Sequence, residues 1–305
     1  MADTEYAVRS YCGSDLEAVV RMKVEMANRH AGQGRLAAAD ARSRLGRPGY
    51  APEERLFVAE SREGIAGYLD MHHEPAIGRV VMECLVVDGH RQRGIARRLF
   101  LHALPRARAL GAAVAHVVVA ESETTGRRVL EKAGFRVVRQ QHELQIDLSD
   151  VVGPGADVGC QIRPLAQGEE GVLCDLQNHC FAGAWGFNPN TPPEVSHALR
   201  SGGDDTVLVA EVDRNTVGYV WTGREPDDSP YAWRGRIGMI GVEPRYRGQG
   251  IGRALLLAAL SLLQGKGYRS VTLTVDSENR AARALYASTG FREVGSSLWY
   301  EKPLR

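Results

Sequence analysis

Runs of apolar positions along the chain follow one order of strand and helix patterns, and the order occurs twice. A short strand pattern, Tyr6–Tyr11, precedes a helical segment at Asp15–His30. A hairpin follows, turning at Ser61-Arg-Glu-Gly, then an apolar strand, Val80–Val87. After a glycine-rich turn comes a long helix, Gly94–Leu110, a β-rich run, Ala115–Ala120, and a helix ending at Gly134. The second half repeats this as Cys160–Pro164, Glu169–Ala182, a turn at Asp213-Arg-Asn, Ile237–Val242, Gly250–Gly265, Ser270–Val275 and a helix ending at Gly290. Two closing strands are predicted for each half. Strand, turn, helix, strand and helix in this order predict an α/β unit with a crossover.

The halves also match residue by residue. Val58 falls on Val209 and Gly67 on Gly218, an offset of 151 (209−58, 218−67). Arg91 falls on Arg247 and Gly134 on Gly290, an offset of 156 (247−91, 290−134). One change of offset, between Asp70 and Arg91, predicts a longer loop in the second copy. The openings pair as Val8-Arg9 with Ile162-Arg163. The Gly/Pro/Asp-rich stretch Asp150–Asp157 reads as a linker with the boundary near residue 155, dividing the chain into domains 1–152 and 158–305.

Charge narrows the partners. With 38 Lys+Arg against 37 Asp+Glu over 305 residues, the chain lacks the basic excess that nucleic acid or an anionic membrane calls for. Five cysteines, odd in number and without a C-x-x-C pair, suit reduced thiols. Met-Ala-Asp-Thr-Glu has no basic region leading into an apolar stretch. The longest apolar run, Ala254–Leu263, is far short of the roughly 18 residues of a membrane span. A soluble, cytoplasmic monomer or homodimer is expected.

The chemistry begins at the glycine-rich turn. Arg247-Gly248-Gln249-Gly250-Ile251-Gly252 follows a strand and opens a helix, so consecutive backbone N–H groups gather at a helix N-terminus, where the dipole favours anions. Arg245, Arg247 and Arg253 add positive charge. The first copy has Arg91-Gln92-Arg93-Gly94-Ile95-Ala96, with Arg97 and Arg98 beside it. The spacing R-x-x-G-x-G/A is neither the dinucleotide G-x-G-x-x-G nor a P-loop.

With Val242–Leu256 (VEPRYRGQGIGRALL) and Asn279–Phe291 (NRAARALYASTGF), the chain resembles a tandem member of the GCN5-related N-acetyltransferase (GNAT) superfamily along nearly its whole length. The resemblance implies two GNAT-like α/β (α+β) domains, each a mixed, mostly antiparallel sheet flanked by helices. It implies that acetyl-CoA binds as co-substrate, with its pyrophosphate on the amides from Arg247 to Arg253, and from Arg91 to Arg97 in the first copy. Its pantetheine arm would lie along the main chain of Ile240, Gly241 and Val242, or of Leu85 and Val87.

Asn279 and Tyr286 lie seven apart, two helical turns, and project from nearly one face. A tyrosine hydroxyl, with an ordinary pKa of about 10, can donate to a departing thiolate. The resemblance puts the acid at Tyr286 and a cofactor contact at Asn279. Counting back from Gly134, the first copy has Leu130 and Glu123 instead. It keeps the turn and lacks the acid, which reads as a structural or cofactor-holding half.

A general base is harder to find. Glu83 is similar to a strand glutamate that assists proton removal in many relatives. The second copy has Gly238 at that register, and Glu243, beside Pro244, reads as a solvated carboxylate. Tandem relatives with a degenerate first copy place a glutamate early in this strand, where Arg236 stands, so no residue is assigned as base and a water relay is one open route for the proton.

The acceptor end falls at Asn178–Pro193, with Trp185 and Phe187, and at Thr222–Trp233, with Asp227, Asp228, Tyr231 and Trp233. Aromatics beside carboxylates suit a cationic amine, and loop anchoring accounts for them equally. The His-His-Glu run after Met71 lacks metal-site spacing, so no metal is expected. The sequence therefore points to acetyl transfer to a small-molecule or peptide amine in the C-terminal domain. The alternative is an acyl-CoA-binding sensor without turnover.

Overall fold

A computed structural model of the protein describes residues 5–28, 42–43, 45–46, 49–151, 158–203, 205–225 and 234–305. Two compact units emerge: Met1–Gln140 with Ser297–Arg305, and Gln141–Ser296.

The first unit runs β1 (Ala7–Ser10), α1 (Leu16–Asn28), α2 (Pro52–Arg55), β2 (Leu56–Ser61), β3 (Gly64–Glu74), β4 (Arg79–Val86), α3 (Ile95–Ala109), β5 (Val114–Ala120) and α4 (Thr124–Lys132). A long strand, β6 (Arg136–Asp147), leads into the second unit. That unit continues with β7 (Gln161–Pro164), α5 (Glu170–Phe181), α6 (Pro192–Ser201), β8 (Thr206–Val212), β9 (Asn215–Arg224), β10 (Arg234–Val242), α7 (Ile251–Gly265), β11 (Ser270–Asp276), α8 (Arg280–Thr289) and β12 (Arg292–Pro303). Predicted elements appear within a few residues of their expected bounds, and positions 29–41 and the linker positions 152–157 lie outside the described residues.

The strand order is β1-β2-β3-β4-β5-β12 in the first unit and β7-β8-β9-β10-β11-β6 in the second. Neighbours pair antiparallel except β4 with β5 and β10 with β11. One expectation fails here. Each copy closes on a single 12-residue strand, not on two. β6 holds no Gly, Pro, Asn or Ser to turn it, and β12 runs on through Gly295-Ser296-Ser297. Gln141–Asp147 of β6 pairs with β11, and Ser297–Pro303 of β12 pairs with β5. Each unit thus takes its last paired segment from the other copy's closing strand, and the compact units divide after Gln140 and after Ser296, which places the expected boundary near residue 155 inside the second unit.

Each sheet buries both faces. In the first unit Leu99, Phe100 and Ala103 of α3 and Leu130 of α4 cover one face, and Val19 and Met22 of α1 cover the other. In the second, α7 and α8 contribute Leu255, Leu256, Leu260 and Tyr286 to one face, while Leu173 and Cys180 of α5 and Val195 of α6 pack on the other. The repeated glycines mark close approaches. A Cβ on Gly67 would lie 2.8 Å from the Leu85 carbonyl, and one on Gly218 would lie 3.0 Å from Leu255.

A charged bracket recurs in both copies. Arg9 joins Asp15 and Glu60, and Arg163 joins Glu169 and Glu211, tying the first strand to the start of the first helix. The Arg163 guanidinium holds the Glu169 carboxyl at about 2, below the ordinary carboxylate range.

Candidate active site

Both site halves grow from one topological event. β4 pairs with β5 only over Arg79–Met82, and β10 with β11 only over Arg234–Ile237. Past those points the parallel strands part, so the stretches Glu83–Val86 and Gly238–Val242 keep one paired neighbour and open a slot on the other side. Such a slot offers main-chain groups to an extended ligand.

At the far end of each slot lies the glycine-rich turn. Gly94 and Gly250 are the N-caps of α3 and α7, with φ of 78° and 85°. Two residues earlier, Gly248 has φ 76° and Gln92 has φ 62°. Glutamine therefore holds in one copy the left-handed conformation that glycine holds in the other. A non-glycine residue adopts it at a cost of about 1–2 kcal/mol. The two turns thus share one backbone path, and it aims the unsatisfied first-turn amides of each helix outward. At Gly252 a Cβ would meet only ordinary contacts at 3.7 Å, which explains why Ala96 serves in the first copy.

The motif arginines do something other than the sequence suggests. Arg247 donates Nε to the Val242 carbonyl (3.0 Å) and Nη2 to that of Cys180 (2.7 Å), and Arg91 donates Nε to the carbonyl of Val86 (3.2 Å). They rivet the turn to the strand before it. Arg93 is turned toward Glu5 (2.9 Å) and the Tyr6 hydroxyl (3.1 Å), away from the slot. Val87 lies one residue beyond β4, with its amide spent on the Ala66 carbonyl at 3.0 Å. Gln249 donates to the Arg245 carbonyl and Arg253 to Ser288.

In the first unit the slot widens to a cavity of about 260 Å³. Leu85, Arg91, Gln92, Gly94, Ile95, Ala96 and Arg97 line it with Cys84, Val117, Glu123 and Leu130. Burial pushes the Cys84 thiol up to about 12, so it stays protonated and unreactive. Leu130 lines this cavity from α4. In the second unit α8 carries Tyr286 at the matching position, buried and 5.8 Å from Phe291 between ring centroids. Burial pushes its hydroxyl up to about 12.

Asn279 is the N-cap of α8, its Oδ1 accepting from the Ala282 amide at 3.1 Å, and Glu123 caps α4 in the same way. Both copies therefore begin this helix alike, and they diverge seven residues on.

The proton-accepting side needs two corrections. Across β3 and β4, Asp70 faces Glu83 and Met71 faces Met82. Across β9 and β10, Trp221 faces Met239 and Thr222 faces Ile237. The offset is therefore 155 at Met82 and 156 at Glu83 (237−82, 239−83). Met239 is the counterpart of Glu83, and Gly238 is an extra residue in a β-bulge. Sequence spacing alone could not tell one bulge residue from one more loop residue. Glu243 is likewise no solvated carboxylate: its side chain is 17% exposed and pairs with His179 at 3.3 Å. Glu83 accepts from the Tyr68 hydroxyl and pairs with Lys23 at 2.9 Å.

On the acceptor side, Phe187 stacks on Phe181 at 5.5 Å, and Asn190 is held by Asn178 (2.8 Å) and Gln177 (2.9 Å). Trp185 is half-buried in the same loop. Phe187 and Asn190 thus fasten this loop to α5. Asp227, Asp228, Tyr231 and Trp233 lie outside the described residues. The His72-His73-Glu74 run is part of β3, with Glu74 bound to Arg79. Gly241 is wedged: a Cβ there would lie 2.9 Å from both Cys180 Cβ and the Tyr219 ring. Gly241→Ala should lower stability by about 1–3 kcal/mol, read as an earlier urea midpoint at unchanged slope.

Known proteins agree with this geometry. Residues 172–291 match the acetyltransferase (GNAT) family and residues 25–145 an acetyltransferase (GNAT) domain. A mycothiol acetyltransferase of Tsukamurella paurometabola is 30% identical over 267 residues, 82% of this chain and 85% of that protein. The chain belongs to the GNAT acetyltransferase family. A mycothiol acetyltransferase of Cellulomonas flavigena is also 30% identical, over 72% of this chain and 66% of its own length. Two solved structures have this GNAT fold along almost the whole chain. A tandem GNAT protein from the clavulanic acid biosynthesis pathway gives a TM-score of 0.77 at 17% identity, covering 99% of each chain. A GCN5-related N-acetyltransferase from Sphaerobacter thermophilus gives 0.74 at 21% identity, covering 100% of this chain and 98% of the other. As a GNAT enzyme with two tandem domains, the protein is a transferase of acyl groups.

Proposed function

We propose that the protein transfers an acetyl group from acetyl-CoA to a primary amine of a small molecule or peptide, with the chemistry in the C-terminal copy and the first copy holding the co-substrate without turnover. The observation that carries this reading is the exchange at one helix position: Tyr286 in the second copy, Leu130 in the first. Leucine cannot serve a departing thiolate, whereas a buried tyrosine can.

In this reading the turn amides from Gly248 to Gly252 receive the pyrophosphate, and the open edge of Gly238–Val242 receives the pantetheine arm. The amine, having lost a proton to water, forms a bond to the thioester carbonyl carbon. The C–S bond then breaks, and the products are the N-acetylated amine and the thiol of CoA. With its pKa near 12, Tyr286 is a weaker acid than an ordinary thiol at about 8.5. Complete proton transfer to sulfur is therefore uphill. The hydroxyl acts by donating a hydrogen bond to the charge that develops there, and the proton shed by the amine completes the thiol.

The first copy supports a binding role through its cavity and through Gln92, held left-handed where strain persists only if the surroundings require it. Acetyl-CoA at about 100 times its dissociation constant should stabilise the protein by roughly 2.7 kcal/mol, measured as a rise in Tm. An unchanged Tm at saturation would remove the acyl-CoA reading. Thiol release from acetyl-CoA with a panel of amines, and mass spectrometry of the product, tests transfer itself.

A further inference from the structure

The second unit fixes a guanidinium on the acceptor face beside the point where β10 and β11 part. Side chains of β10 alternate between faces. A Cβ on Gly235 would lie 3.0 Å from Leu263 of α7, whereas one on Gly241 would lie 2.9 Å from Cys180 of α5. Met239 packs against the buried cluster that includes Leu173 and Cys180 of α5. Arg236, next to Gly235, shares the α5 face with Met239 and Gly241.

Two bonds orient it. Arg236 Nε donates to the Arg224 carbonyl at 3.2 Å, and Nη2 donates to Asp205 Oδ2 at 3.1 Å. Trp221 Nε1 donates to the same oxygen at 2.8 Å. The exposures differ in a telling way. Asp205 is 6% exposed and lies behind, while Arg236 is 38% exposed and is presented. Its Nη1 would lie 3.6 Å from a Cβ on Gly238, the bulge residue, so the fork lies over the β9 side of β10, level with the point where the slot begins. A purely structural ion pair accounts for Nε and Nη2. Among the described residues it leaves the Nη1 edge, a planar pair of donors suited to carboxylate or phosphate, without a hydrogen-bond partner.

Resting on the reading that the second copy is the catalytic one, we infer that Arg236 binds an anionic group on the acceptor, so that the acceptor is an amine carrying its own carboxylate or phosphate. Asp205 and Trp221 are positioning residues that hold the fork.

The test measures thiol release by the full-length protein with matched amines: amino acids against their carboxamides, and phosphoethanolamine against ethanolamine, all referred to the free-amine form. The anionic member of at least one pair should have the higher kcat/KM by roughly 10- to 100-fold, the worth of one charged hydrogen-bonded contact, chiefly through KM. Whichever pair responds tells carboxylate from phosphate. Arg236→Gln should bring that ratio close to one, and Arg236→Lys, which keeps the charge and loses the fork, should leave part of it. A structural role alone would lower both members together and leave the ratio standing, which overturns the inference. So does equal or better turnover of every neutral member, or silence of all anionic ones. If neutral amines react and Tyr286→Phe abolishes that reaction, the catalytic reading stands and only the Arg236 inference falls. If thiol release ignores both Tyr286→Phe and Gly250→Val, the catalytic reading falls and takes the inference with it.

Discussion

Tyr286→Phe is expected to lower kcat by about 10²–10³-fold, the loss on removing one hydrogen-bond donor to developing charge, while acetyl-CoA binding changes little. The substitution keeps the ring that packs at 5.8 Å against Phe291 and removes only the hydroxyl, so the core of α8 stays filled. An interaction made only as the C–S bond breaks should lower kcat and kcat/KM together. Burial adds a pH signature. With the hydroxyl held protonated up to about 12, Tyr286 should produce no fall in rate between pH 7 and about 10, and any limb seen there belongs to the amine or to water. Near-normal kcat in the phenylalanine variant, with chemistry rate-limiting, would mean that solvent serves the thiolate. An alkaline limb that vanishes in Tyr286→Phe would contradict the raised pKa.

The second large effect separates the copies. Gly250→Val should abolish turnover, because it fails twice. A β-branched residue at φ 85° is strained, and its Cβ would lie 2.7 Å from Val158 Cγ1 as well as crowding the amides. Gly94, at φ 78°, has nothing within 4 Å of a Cβ, so Gly94→Val meets strain but no clash. That variant should lose acetyl-CoA from the first copy and retain much of the activity. Two outcomes of a calorimetric titration with kinetics on the same folded samples are informative. Equal loss of turnover from both variants would make the first copy a direct participant. Full activity in Gly250→Val would move the chemistry out of the second copy.

The tandem repeat, the α/β order and the two glycine-rich turns at helix N-termini were legible in the sequence, because each depends on local conformation. Gly94 and Gly250 stand where this turn takes positive φ, and periodic apolar positions mark the faces that bury. The contrast between Tyr286 and Leu130 needed only the count back from the paired glycines. Long-range pairing decided the rest. The bulge at Gly238, which moves the partner of Glu83 to Met239, exists only as a register between two strands, and a single sequence carries no record of register. The exchange of closing strands has the same origin, since β6 and β12 look alike whichever sheet they complete. Charges were the least legible. Arg247 rivets backbone carbonyls, Glu243 is taken by His179, and Arg236 is held by the buried side chain of Asp205, because a charged side chain's work depends on partners that only the folded chain brings within 3–4 Å.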